Sequence, residues 1–142
     1  MKKQTEFDEK QQLERGKAYR NGYFTLLALL LIDFFIKDAL EITWLTNYSS
    51  FIIMFWISIS VCEITMIVKD AYDGISNNYG RTILSLQGFL GLAILFMDIM
   101  YILSGKEVIS SMLSSLLMGV CCVIICSVYW IKVIRDKNFI EV

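Results

Sequence analysis

The chain contains no histidine and no proline. Without histidine it lacks the commonest general base and the usual ligand of a catalytic metal. No nucleophile–base constellation and no H-E-x-x-H helix replaces it, so the sequence reads as a non-enzymatic protein with no metal and no cofactor. Without proline, a broken helix of the kind that builds transporter sites would have to come from glycine or from inserted polar groups. Amphipathic periodicity is also scarce: the apolar runs are apolar nearly all round, and no stretch is long enough for a separate soluble domain. The net charge of −1 gives no case for nucleic acid. The four cysteines, Cys62, Cys121, Cys122 and Cys126, lie inside the apolar runs without C-x-x-C pairing. They are expected to be reduced thiols packed as small apolar groups, with a contact between Cys62 and Cys122 or Cys126 possible by depth.

What is present is hydrophobic length. Of 142 residues, 56% are hydrophobic, gathered in four runs at 22–45, 51–68, 83–103 and 108–131. Each can cross a hydrocarbon core of about 30 Å as a helix. Eleven of the thirteen Lys and Arg residues fall on one side of these runs, and only Lys37 and Lys106 on the other. By the positive-inside rule both termini of this multi-pass chain are cytoplasmic. The expected fold is an all-α integral membrane four-helix bundle, with a charged helical arm at 1–21, a transmembrane domain at 22–134 and a tail at 135–142. The arm opens with Thr5 and Asp8 at capping-box spacing, followed by Glu6–Lys10 and Lys10–Glu14 pairs.

Three acids lie within the runs: Asp33, Glu63 and Asp98. An ionised side chain there costs about 2.5–3.5 kcal/mol on insertion scales, so such residues face the bundle interior and are functional candidates. Asp33, Lys37 and Glu41 are spaced i, i+4, i+8, which makes Lys37 the ion-pair partner of Asp33 if the first helix continues towards Trp44. Gln87, Gly91 and Asp98 share a face of the third run. Small residues at Gly88, Gly91, Ser111, Ser115 and Gly119 mark helix-packing faces, through which a homodimer is expected. The connection 69–81 carries Asp73-Gly74 and Asn77-Asn78, turn-forming residues without the spacing of a calcium loop.

The two halves resemble each other at a shift of 65 residues. Leu27-Ala28 with Asp33 matches Leu92-Ala93 with Asp98, and Ser49-Ser50 matches Ser114-Ser115. A duplication of this kind places two hairpins in the same orientation about a pseudo-twofold along the membrane normal.

The stretch Asp8-Glu9-Lys10-Gln11-Gln12-Leu13-Glu14-Arg15-Gly16-Lys17-Ala18 resembles the opening of a group of small multi-span membrane proteins of Gram-positive bacteria. Those carry a D-E-R type opening and a G-K-A step before the first span. Here Lys10 stands where that pattern has Arg. The resemblance covers about a dozen residues and implies a bacterial plasma-membrane protein with no assigned activity, from a group whose genes often lie beside helix-turn-helix regulators. Together the features lead to a regulatory or accessory membrane subunit acting through a partner, with Lys10, Arg15 and Lys17 as contact residues and self-association expected. The alternative is a small proton- or cation-coupled transporter using Asp33 and Asp98.

Overall fold

A computed structural model describes residues 9–41, 45–72, 78–105 and 109–140 of the protein. The fold is all-α: α1 (Glu9–Phe34), α2 (Asn47–Val68), α3 (Asn78–Leu103) and α4 (Ile109–Ile140), with a π-helical turn at Phe35–Ala39 that prolongs α1. No strand occurs among the described residues. Helices α2, α3 and α4 are each long and apolar enough to cross a membrane, with mean hydropathies of 2.3, 2.0 and 2.3 over their apolar stretches. The chain is therefore a helical membrane protein.

The helices form an open bundle in the order α1, α2, α4, α3, each packing on its neighbour in that row. Among the described residues α1 approaches neither α3 nor α4. Near the C-terminal end of α4, Lys132 reaches the C-terminal end of α2, so these two central helices run in the same direction. This order leaves α2 and α4 at the centre and α1 and α3 outside.

The ends of α1 differ from those expected. From Glu9 to Phe34 the charged arm passes into the first apolar run as one unbroken helix of 26 residues. At its other end the helix stops before Trp44. The π-turn bonds Leu40 N–H to Phe35 O, five residues back, at 3.2 Å. Glu41 then adopts a left-handed conformation with φ 54° and leaves the helix. Glu41 consequently drops out of the expected Asp33–Lys37–Glu41 ladder, whereas Asp33 and Lys37 remain paired. Thr5, Glu6, Asp8, Trp44, residues 73–77 and residues 106–108 lie outside the described residues.

At the opposite end, α2 closes in a Schellman arrangement. Ala71 N–H bonds Met66 O at 2.9 Å and Asp70 N–H points to Ile67 O at 3.4 Å. Asp70 holds the left-handed position, φ 57°, usually given to glycine. Ile67 O thus already has a backbone donor, while Val68 O is left to be satisfied from elsewhere. Lys132 supplies the donor: its Nζ lies 2.5 Å from Ile67 O and 3.2 Å from Val68 O. The same ammonium pairs with Asp70 Oδ1 at 2.5 Å. Lys132 is only 5% exposed, so a buried cation sits where the helix dipole of α2 is negative. From α1, Gln11 Nε2 donates to Asp70 O at 3.3 Å.

Both apolar clusters gather at this end. Ile67, Leu84, Ile125 and Tyr129 join α2, α3 and α4, while Ala18, Met66 and Ala71 join α1 to the end of α2. Small residues set the other contacts. A Cβ at Gly22 would sit 3.0 Å from Cys62 Cβ, and Ser58 Oγ donates to Gly22 O at 2.7 Å. A Cβ at Gly91 would lie 2.7 Å from Cys122 Cβ and 2.9 Å from Gly119 O. One at Gly88 would overlap Cys126. These glycine faces, expected to join two copies, are used within a single chain between α3 and α4.

Replacing Lys132 with Met should lower the unfolding free energy in detergent by about 2–4 kcal/mol, because Val68 O loses its donor, Ile67 O its charge-assisted bond and Asp70 its counter-charge. Asp70→Asn should cost less than about 1 kcal/mol, since that side chain is 65% exposed. Equal losses would mean that the ion pair, not the carbonyl cap, carries the stabilisation. In the same assay Gly91→Ala should destabilise by about 1–3 kcal/mol through overpacking. Gly16, with nothing within 4 Å of a built Cβ, should gain about 0.5–1 kcal/mol as Ala.

Candidate functional site

The three acids of the apolar runs, Asp33, Glu63 and Asp98, occupy three different environments. Asp33, at the end of α1, is a paired group: Lys37 Nζ lies 3.0 Å from its Oδ2. Lys37 also donates to Ser50 Oγ at 2.6 Å and to Asn47 Oδ1 at 3.2 Å. The π-turn carries Lys37 back over the last turn of α1 and across to the start of α2, which Thr46 caps by accepting from Ser49 N–H at 3.3 Å. Beside this network lies a shallow groove of about 400 Å³ lined by Leu30, Asp33, Phe34, Lys37, Asp38 and Asn47.

Asp98 on α3 is 8% exposed, and its Oδ2 has no hydrogen-bond partner among the described residues. Close approaches pair Gly88 with Cys126, Gly91 with Cys122 and Leu95 with Gly119 along the antiparallel α3–α4 contact. The next step of this register brings Asp98 level with Ser115, whose hydroxyl bonds Met112 O at 2.9 Å within its own helix. The side chain of Ser111 is outside the described set. Asp33 and Asp98 are thus not brought together: they sit on the two outer helices, and among the described residues only Asp33 has a cation beside it.

Glu63 on α2 is partly buried and accepts from Gln87 Nε2 of α3 at 3.2 Å. On its other side Glu63 lines an open groove of about 390 Å³ between α1 and α2. Tyr19, Gly22 and Tyr23 form the α1 wall; Ser58, Ile59, Cys62, Glu63 and Met66 form the α2 wall. All four cysteines are free, and no disulfide links Cys62 to Cys122 or Cys126. Cys62 packs towards Gly22 of α1, whereas Cys122 and Cys126 pack towards Gly91 and Gly88 of α3. No group of three metal-ligating side chains occurs among the described residues.

The basic segment of α1 is held in place, not free-standing. Ala18 is fully buried against Met66 and Ala71, which leaves Lys10, Lys17 and Arg20 on the exposed faces. Lys17 Nζ lies 2.6 Å from Glu14 Oε1. That hydrogen-bonded ammonium holds the Glu14 carboxyl below its ordinary range. Arg15 is half-buried and engaged.

Sequence reasoning did not single out Lys132, Gly22 or Ser58. Lys132 counted there only among the eleven basic residues on one side of the apolar runs. Gly22 and Ser58 were legible in principle, since Ala18–Gly22 and Ser58–Cys62 each place two small residues four apart.

Lys37→Met should destabilise the folded protein in detergent by about 1–3 kcal/mol, by leaving Asp33 without its cation. Adding Asp33→Asn should restore at least half of that loss. A double variant no better than Lys37→Met would show that Lys37 acts through Ser50 and Asn47 instead.

Comparison with known protein families, curated proteins and solved structures finds no match to this chain.

Proposed function

We propose that the chain is a non-enzymatic integral membrane protein that works through a protein partner, as a regulatory or accessory subunit. In this reading it has four spans, with both termini in the cytoplasm of a bacterial cell. The observation that carries the reading is the way α1 extends past the apolar region and is pinned there by Ala18 and Gln11. A charged helical surface with fixed geometry loses little conformational freedom on docking, which suits recognition. Lys10, Arg15 and Lys17 belong to this surface, and charge patterns of this kind steer partner encounter. A homodimer would use the outer faces of α1 and α3, because the glycine faces are occupied.

A second reading, an ion-coupled carrier, is favoured by the Oδ2 of Asp98, buried and with no partner among the described residues. Substitution separates the two. Charge reversal at Lys10, Arg15 and Lys17 should remove a stoichiometric partner from a mild-detergent pull-down, while Asp33→Asn with Asp98→Asn leaves it bound. Loss of the protein's cellular effect in the double Asn variant, with partner retention unchanged, would overturn the accessory reading in favour of transport.

A further inference from the structure

The groove between α1 and α2 has a chemistry that the partner reading does not use. Glu63 lies five residues before the last residue of α2, about 7.5 Å from the helix end at helical rise. It is therefore inside the span but near one interface. Among the described residues no Lys or Arg forms a salt bridge with it, and its hydrogen-bond partner is a neutral amide. Asp33 differs in this respect, because Lys37 already supplies its counter-charge. A carboxylate within a membrane span is stabilised chiefly by a partner of opposite charge. The groove leaves room for one to arrive from outside the protein.

The walls narrow the class of cation. Tyr19 and Tyr23 are 55% and 60% exposed on the α1 side, one turn apart, and present aromatic surface to whatever occupies the groove. Aromatic faces beside a carboxylate attract alkylated ammonium groups in particular, since these shed water easily and spread their charge over methyl or methylene surface. Ile59, Met66 and Cys62 supply the apolar part of the lining. Gly22 and Ser58 close the floor, packed and hydrogen-bonded across the two helices. The volume of about 390 Å³ falls within the usual range for small-molecule sites. An inorganic cation would meet only one carboxylate and would leave the aromatic rim unused.

We propose that this groove binds the ammonium group of a cationic amphiphile, with the charge on Glu63 between Tyr19 and Tyr23 and the tail lying towards lipid. Such a group can come from a lipid with an ammonium headgroup or from a free hydrophobic amine. The site is independent of the α1 docking surface, so failure of either leaves the other standing.

The test uses the purified full chain in a neutral detergent, with radiolabelled octyltrimethylammonium in equilibrium dialysis. Saturable binding of one molecule per chain is expected, with no competition from octyl sulfate. Glu63→Gln should weaken it about tenfold or more. Tyr19→Leu with Tyr23→Leu alters only exposed side chains and should weaken it about threefold or more. Asp33→Asn should leave it unchanged. In a second arm, protein taken from vesicles of phosphatidylethanolamine and phosphatidylglycerol is examined by native mass spectrometry. Retained phosphatidylethanolamine that octyltrimethylammonium displaces would identify the lipid as the source; binding of the added cation with no retained lipid would identify a free amine. Absence of saturable binding in both arms overturns the proposal, as does wild-type binding by both the Glu63 and the tyrosine variants.

Discussion

The last carbonyls of α2 have to find donors, and much of the assembly follows from how they do so. A helix ending inside or at the edge of a membrane cannot leave those groups to bulk water without cost. Here a lysine from another helix reaches in, nearly buried, and satisfies Ile67 O and Val68 O together. This one contact fixes the parallel alignment of α2 and α4 and places Tyr129 and Ile125 against Ile67 and Leu84. On the other side, the same helix end seats Ala18 and Gln11 of α1. Three helices thus take their register from a single capped terminus, and α3 follows through Leu84.

Glycines and small polar side chains then set the close approaches. Between apolar helices in lipid the hydrophobic effect gives little preference for one face over another, so shape and hydrogen bonding decide. Gly22 against Ser58 and Cys62 closes the first hairpin, and Gly88 and Gly91 against Cys126, Cys122 and Gly119 close the second. The acids are distributed over this frame with different degrees of compensation: Asp33 by a lysine, Glu63 by an amide, Asp98 on one oxygen by nothing described. That gradient is the main reason to regard them as separate devices, not as members of one relay.

Much of this was legible in the sequence where the signal is local. Length and hydropathy locate α2, α3 and α4 within a few residues at most ends, and i, i+4 spacing pairs Asp33 with Lys37. The end of the first helix was not legible, because a π-turn at Phe35–Ala39 depends on Lys37 reaching Ser50 and Asn47, contacts made across a turn. Which helix neighbours which was not legible either. A run that is apolar all round has no periodic face to reveal its partner, so the central position of α2 and α4 emerged only from tertiary contacts. The capping role of Lys132 was hidden for the same reason: a cation after an apolar run reads as an interfacial charge until a helix end is placed beside it.

The cap also has a temporal side. Ile67 and the lysine that serves it are 65 residues apart in the chain. During synthesis the first hairpin, α1 with α2, is complete long before that donor leaves the ribosome. For that interval the half-protein carries an unfinished helix terminus beside an exposed apolar flank. Arrival of the second hairpin seals both at once, so assembly ends with a latch that engages only when nearly the whole chain has been inserted in the correct orientation. A nascent chain whose second half enters the bilayer inverted would carry Lys132 to the far surface, and the open terminus would mark it as misassembled.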